Sequence, residues 1–351
     1  MHFFDHTLAE LQDVIIDAGL PRHTATQVMA WIYSRQVDDL NAMTDLSPAA
    51  KEFFEHVMEI QRGRVVEDQS ATDGTRKLLL EWPTSGLPIV GQETRSSECV
   101  MIPTTERKTA CLSSQIGCGV GCTFCASGLG GLEGNLTAGQ IVEQAWELGR
   151  LPGVGRLTNV VFMGMGEPLA NFSQVTKAIR ILHAPWGGAL GARRITVSTV
   201  GLPAAIRKLT AFEIPVKLAL SLHAPNDELR RQLIPWAQFT TITELLDACQ
   251  EYFQKTGREI TLEYLLLGGC NDQPEHAREL ADVAGRLRAN VNLIRYNEVE
   301  GLPHVRPSTE DVLRFQSMLR ARRVNVHIRA SRGRDIAAAC GQLRREHGQK
   351  S

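Results

Sequence analysis

From about residue 110 the chain alternates short apolar runs with longer amphipathic stretches, and this alternation restricts the fold more than any other feature. The runs at 112–115, 159–163, 194–199, 216–222, 259–266, 291–296 and 324–328 read as strands. Stretches such as 141–148, 242–255 and 274–287 carry the apolar period of helices. A helix between two strands is long enough to cross over a sheet, so successive strands lie parallel. The expected fold is therefore α/β, either an open doubly wound sheet or a partial barrel. Glycine and polar residues gather just after the strands, at Gly164-Met165-Gly166-Glu167-Pro168, Ser198-Thr199, Ser221-Leu222-His223 and Asn297. Barrel enzymes build their sites at these C-terminal strand ends.

The first hundred residues follow other patterns. Residues 1–60 read as a small helical module: Leu8, Leu11, Ile15 and Ile16 share a face, Gly19-Leu20-Pro21 interrupts it, and 24–33 resumes it. Residues 61–103 read as a β-rich connector, with strands at 64–66, 77–81 and 98–103, a hairpin turn at Asp73-Gly74 and a loop over 83–91. The rest, 104–346, forms the core domain. At 43% hydrophobic and 22% charged, the chain has the make-up of a globular protein. It lacks the run of ~20 apolar residues of a membrane span and a basic-then-apolar leader. Eight cysteines in a chain without an export signal point to a reducing, cytoplasmic setting and to metal or thiol chemistry. Acids dominate 1–60, whereas bases dominate 319–351. The basic end is either a polyanion footprint or a solvated helix face.

Cys118-Gly-Val-Gly-Cys122-Thr-Phe-Cys125 packs three thiols into eight residues. A structural zinc site closes with four ligands. Three cysteines on a four-iron, four-sulfur cluster leave one iron open for chemistry. Cys111, seven residues upstream, is the residue that would close a four-cysteine site instead. Glycines alternate with the ligands and let the loop fold tightly round a bulky group. Gly164-x-Gly166-Glu167-Pro168 lacks the third glycine of a dinucleotide fingerprint. It suits a loop that brings amides and a carboxylate toward a ligand, for instance the ammonium of an amino acid. His223 closes a strand, either as a packed turn residue or as part of the site. Cys340, in Ala339-Cys340-Gly341-Gln342-Leu343, reads as an accessible, flexible tail thiol. Cys99, Cys249 and Cys270 read as structural.

Together these motifs closely resemble the radical S-adenosylmethionine (SAM) RNA (adenine-C2)-methyltransferase family. The resemblance rests on Cys111-Leu-Ser-Ser-Gln115-Ile-Gly-Cys118-x3-Cys122-x2-Cys125, Gly164-Met-Gly-Glu167-Pro, Ser221-Leu-His-Ala-Pro-Asn-Asp227 and Ala339-Cys340-Gly-Gln-Leu343. It implies a partial (β/α)6 TIM-like radical SAM barrel and makes 1–60 an accessory RNA-binding domain. It further implies that Cys118, Cys122 and Cys125 hold a [4Fe-4S] cluster. Gly166, Glu167, Ser198, Ser221, Leu222, His223 and Asn297 would line the SAM site. Cys340 would carry the methyl group, Cys111 would resolve its adduct, and Glu98 would accept a proton. By the same resemblance, two SAM molecules would serve each turnover: one would methylate Cys340, and the other, cleaved by an electron from the cluster, would yield the radical that activates that methyl for attack on the electron-poor adenine C2. The implied partners are 23S ribosomal RNA at the peptidyl-transferase centre, tRNA at the adenine 3′ of the anticodon, and a one-electron reductant of flavodoxin or ferredoxin type. The expected enzyme is a monomer without membrane attachment.

One departure stands out: Leu233-Ile234-Pro235-Trp236-Ala237-Gln238 replaces a Met-Pro-Ile-Asn-Arg-like stretch. Competing readings are a C8-directed relative acting on 23S ribosomal RNA, a non-catalytic iron–sulfur or zinc RNA-binding protein, and a radical activase acting on protein. The paired thiols Cys111 and Cys340 disfavour the last two.

Overall fold

The structure, a computed structural model, describes residues 1–83 and 94–343. The expected loop over 83–91 therefore lies almost wholly outside the described residues, as do the last bases of the tail.

Ten strands form one sheet, in the order β1-β2-β3-β4-β7-β8-β9-β10-β11-β12. The connector supplies β1 (Arg64–Ser70), β2 (Arg76–Pro83) and β3 (Thr94–Pro103), paired antiparallel. β3 also pairs antiparallel with β4 (Lys108–Cys111), placing Val100 opposite Cys111. From β4 the sheet is parallel through β7 (Asn159–Phe162), β8 (Ile195–Thr199), β9 (Lys217–Ser221), β10 (Ile260–Leu266), β11 (Ala289–Arg295) and β12 (Val326–Arg329). Between successive parallel strands lie α4 (Ala138–Arg150), α5 (Phe172–His183), α6 (Pro203–Thr210), α7 (Asp227–Leu233) with α8 (Ile242–Thr256), α9 (Pro274–Gly285) and α10 (Thr309–Ala321). Six βα crossovers thus build the incomplete barrel, as the alternation requires. β5 (Gln115–Gly117) and β6 (Leu132–Asn135) form a separate small hairpin.

Local chemistry sets the helix starts. Thr137 caps α4 by accepting from Gln140 N at 3.2 Å, while the Gln140 side chain accepts from Thr137 N at 2.9 Å. Thr241 and Glu244 do the same for α8. Such reciprocal caps satisfy amides that the first helical turn leaves open.

The strand expected at 112–115 sits instead at Lys108–Cys111. Past Cys111 the backbone leaves regular pairing: Ser114 N donates to Met165 O at 2.9 Å, and Gln115 joins the small hairpin. The helix expected over 24–33 ends at Met29, and a π-type turn covers Ala30–Ser34. Ile16, expected on the apolar face of α1 (Leu8–Asp17), is half exposed, whereas Leu11 and Ile15 are buried.

The N-terminal segment docks on α4. Asp5 Oδ1 accepts from Gly139 N at 2.6 Å, and His2 Nε2 lies 2.9 Å from Glu143 Oε2. A Cβ at Gly139 would sit 2.8 Å from Asp5, so only glycine allows this approach. Glu143 Oε1 also accepts from Arg62 N and Gly63 N, at 2.9 and 2.8 Å. One buried carboxylate therefore ties residue 2, residues 62–63 and α4 together. Among the described residues no helix is long and apolar enough to cross a membrane.

Candidate active site

A cavity enclosing about 850 Å³, open mouth included, lies at the C-terminal ends of the parallel strands. Phe162, Ser198, Thr199, Ser221, Glu263, Ile294 and Arg329 reach it from β7 to β12. Cys118, Cys122 and Cys125 line it from the loop after β5, and Cys340 lines it from the C-terminal segment.

The cysteine loop is built by its glycines. Gly117 and Gly121 hold φ of 72° and 70°, which L side chains resist. A Cβ on Gly117 would overlap the Gly131 carbonyl. Behind the loop, Thr123 N donates to Leu233 O at 3.0 Å, and Thr123 Oγ1 lies 2.9 Å from His304 Nε2. The departing stretch after Leu233 therefore sits against the cysteine loop. Burial raises the pKa of all three thiols, Cys118 to about 11.

Opposite the cysteines lie small and polar groups. Gly166 has φ 98°, and a Cβ there would fall 2.5 Å from Gln115 Cβ. Glu167 is buried and already bonded: Oε1 accepts from Thr199 Oγ1 at 2.8 Å and Leu169 N at 3.0 Å, and Oε2 accepts from Val200 N at 2.7 Å. Burial raises its pKa despite these donors. The carboxylate thus joins the ends of β7 and β8 before any ligand arrives. The Ser198 and Ser221 hydroxyls stand 3.2 Å apart on the cavity wall. His223 adopts φ 57°, and its Nδ1 accepts from Leu265 N at 3.1 Å, leaving Nε2 to carry the proton. Burial pushes its pKa down to about 3, so the ring is neutral.

Two expected ligand-site residues lie off this lining. Leu222 is buried in the core, with its N–H on Glu263 O and its carbonyl accepting from Arg230. Asn297 lines a smaller adjoining cavity, where its Oδ1 accepts from Arg306 Nη1 at 2.8 Å.

That second cavity is where Cys111 stands, together with Met163, Arg329 and Cys340. Cys340 borders both cavities. Cys111 is therefore grouped with Cys340 and not with the three-cysteine loop. Burial pushes its thiol up to about 12. The flexible tail expected at Cys340 is instead docked: Ala126 N donates to Gly341 O at 2.8 Å, Ser127 Oγ to Leu343 O at 2.6 Å, and Gln342 Nε2 to Glu298 O at 3.1 Å. Glu98 lies on the face of β3 shared with Val100, the residue opposite Cys111, and its Oε1 is 2.8 Å from Lys77 Nζ. It does not line either cavity. Cys99 and Cys249 are buried, as expected of structural cysteines.

Comparison with known proteins decides the family. The Radical SAM superfamily model matches residues 112–281, and the Ribosomal RNA large subunit methyltransferase N-terminal domain model matches 1–60. A probable dual-specificity RNA methyltransferase RlmN of Rhodopirellula baltica is 42% identical, over 99% of this chain and 92% of its own. The dual-specificity RNA methyltransferase RlmN of Syntrophobacter fumaroxidans is 42% identical, over 98% of each chain. The crystal structure of a radical SAM methyltransferase from Sphaerobacter thermophilus superposes with a TM-score of 0.93 at 42% identity, covering 98% of this chain and 99% of its own. The chain belongs to the RlmN family of radical SAM RNA methyltransferases.

Membership in this family implies a [4Fe-4S] cluster and SAM, and the cavity fits both. Its donor set is three soft thiols on a loop that only glycine permits, a match for iron–sulfur ligation. The paired serine hydroxyls on the cavity wall suit a ligand with ammonium and hydroxyl groups.

Sequence reasoning missed several wall residues. Glu263 is buried on β10, with Oε1 accepting from Asn292 at 3.1 Å and burial raising its pKa. Arg329, counted with the basic tail, turns inward and borders both cavities. Cys340 raises its pKa, burial opposes the rise, and Glu263 and Cys111 add to it. Only the even spacing of polar letters along β10 and β12 hinted at them. Other tail bases are held in ion pairs: Arg322 is 2.6 Å from Asp282, and Arg332 is 3.8 Å from Asp73.

Proposed function

We propose that this enzyme methylates C2 of adenine in 23S ribosomal RNA and in tRNA, using Cys340 as methyl carrier and Cys111 as resolving thiol. The observation that carries this reading is the position of Cys340. It borders both the cavity of Cys118, Cys122 and Cys125 and the cavity of Cys111.

Cys118, Cys122 and Cys125 would hold the cluster. Gly166, Glu167, Ser198, Ser221 and His223 would receive SAM, with Leu222 contributing through its backbone and Asn297 from the adjoining cavity. When bound, the cluster and SAM supply a methyl group and a one-electron route to activating it. The protein's own groups do the rest. Cys340 takes the methyl on sulfur and holds its carbon where adenine C2 can be joined. Glu98 would accept the ring proton, a role that requires the base to reach past the two cavities to β3, where Lys77 now faces the carboxylate. Cys111, as thiolate, attacks the Cys340 sulfur; the carbon–sulfur bond breaks, the carbon keeps the electron pair and takes a proton to become the methyl group of the freed RNA, and a disulfide remains that a thiol reductant reopens. The adenine must be unstacked to enter, at a cost of a few kcal/mol. Residues 1–60 serve as the RNA-binding module, 61–103 as connector and 104–346 as catalytic core. Two SAM molecules are used per turnover, electrons come from a flavodoxin or ferredoxin, and the enzyme works as a cytoplasmic monomer.

Mass spectrometry of nucleosides tests this in a host lacking its own enzyme, with and without the gene. The expected result is 2-methyladenosine in both ribosomal and transfer RNA. Appearance of 8-methyladenosine would assign the chain to the C8-directed branch, and absence of both would refute RNA methylation.

A further inference from the structure

Arg230 is the most deeply buried cation in the core domain's described residues, 1% exposed in the middle of α7. Its guanidinium is satisfied by carbonyls alone: Nε donates to Leu222 O at 3.2 Å, and Nη2 donates to Val200 O and, at 3.4 Å, to Ser221 O. Among the described residues no carboxylate lies within ion-pair distance of it. A buried charge is strongly unfavourable unless something of opposite sign accompanies it. Carbonyl dipoles satisfy the hydrogen bonds but do not neutralise the charge.

The missing counter-charge lies in the cysteine loop. α7 ends at Leu233, whose carbonyl accepts from Thr123 N at 3.0 Å, between Cys122 and Cys125. Leu233 and Ile234 pack in one cluster with Val120, Phe124 and the three cysteines. Burial lowers the Arg230 pKa to about 10, opposed first by Cys122 and then by Asp227 on the same helix. The guanidinium is held by the carbonyls of Val200 and Ser221, residues that line the same cavity as Cys122, and at such a buried position charge is less screened than in water.

We propose that Arg230 is the built-in counter-ion of the cluster and sets its reduction potential. This rests on the assignment of Cys118, Cys122 and Cys125 as cluster ligands. Three thiolates and a doubly positive cluster core sum to one negative charge, and uptake of one electron makes two. A fixed cation therefore favours the reduced state more than the oxidised one. Removing it makes the cluster harder to reduce. Arg230 acts through the cluster's surroundings and is a positioning residue, not a catalytic one.

The test uses the full chain reconstituted anaerobically with iron and sulfide, compared with Arg230→Gln and Arg230→Lys. Iron and sulfide content report loading, and an EPR-monitored redox titration reports the midpoint potential. Arg230→Gln is expected to load and to shift the reduction equilibrium at least tenfold, a fall of at least 59 mV for one electron. Arg230→Lys keeps the charge but loses the planar fork that reaches the carbonyls, and its potential should stay close to wild type. An unchanged potential in loaded Arg230→Gln overturns the proposal. So does an equal fall in both variants, which would trace the effect to strand-end packing. If only Arg230→Lys loads, a wild-type potential supports the counter-ion and a fall of 59 mV or more overturns it. If neither loads, Arg230 holds the loop rather than the charge, and the proposal fails. Failure of the wild-type chain itself to assemble a reducible cluster would instead refute the ligand assignment.

Discussion

Replacing Glu143 by alanine should loosen the N-terminal module from the barrel. The carboxylate is fully buried and holds three donors: His2 Nε2 at 2.9 Å, Arg62 N at 2.9 Å and Gly63 N at 2.8 Å. Glu143→Ala leaves the buried His2 Nε2 and two part-buried amides without this acceptor. Breaking a buried ion pair from one side costs about 3–5 kcal/mol. A chain longer than 250 residues shifts its Tm by roughly 2 °C per kcal/mol, so the expected drop is about 6–10 °C. Glu143→Gln keeps an acceptor for the two amides and should lose roughly half as much. Differential scanning calorimetry reads the shift, and hydrogen exchange should show residues 1–63 opening first. A Tm within about 2 °C of wild type, or loosening that starts elsewhere, would refute the staple. The same contact predicts a pH dependence. Burial opposes the His2 charge, but Asp5 and Glu143 outweigh it and raise the His2 pKa. A raised pKa contributes stability that is present below the unfolded value near 6.5 and is lost as pH rises through the folded one. The stability gap between wild type and His2→Ala should therefore narrow as pH rises from 6 toward 9.

Three further outcomes follow from the site. Cys340→Ala should abolish RNA methylation while retaining iron, and Cys111→Ala should accumulate a covalent protein–RNA adduct visible on denaturing gels; full turnover by Cys340→Ala would end the methyl-carrier reading. Cys111, with its thiol near 12, should be about one part in 10⁴ ionised at pH 8, against about one part in four for an ordinary thiol. Peptide-mapped alkylation should then be roughly a thousandfold slow at Cys111 and rise tenfold per pH unit, and a pH-independent rate would contradict this. Gly166→Ala, whose Cβ would fall 2.5 Å from Gln115 Cβ at φ 98°, should weaken SAM binding at least tenfold by calorimetric titration while leaving iron content intact.

The barrel was legible because the strand–helix alternation is periodic over more than two hundred residues, and periodicity survives local irregularity. Strands β7 to β12 fall within a few residues of their expected places. The error at β4 has a physical reason: apolar Leu112 continues the run, but the backbone turns away at Cys111 to make room for Ser113 and Gly164. Motif residues in glycine-rich loops were likewise visible, since a loop round a bulky ligand needs special backbone angles. Glu263, Arg329 and Arg230 were not. Arg230 is one of five polar letters in α7, and Glu263 and Arg329 are polar letters in short strands; which face each lines depends on how distant strands and helices close together. Cys340 was misread as flexible because its anchors, Ala126 and Ser127, lie far away in the chain.

Those anchors carry a consequence for biosynthesis. The C-terminal segment that bears Cys340 is bonded to Thr72 through Asp335, to Asp73 through Gly333 and to Ser127 through Leu343, across 263, 260 and 216 positions. Contacts of such separation close late, and during translation the N-terminal portion folds first. The cysteine loop, strands and helices can therefore assemble while the reactive thiol is still on the ribosome. On the cluster assignment proposed above, iron and sulfide would enter before the last residues to emerge close the wall. On the roles proposed above, a prematurely ended polypeptide would bind a cluster yet lack the thiol that transfers the methyl group.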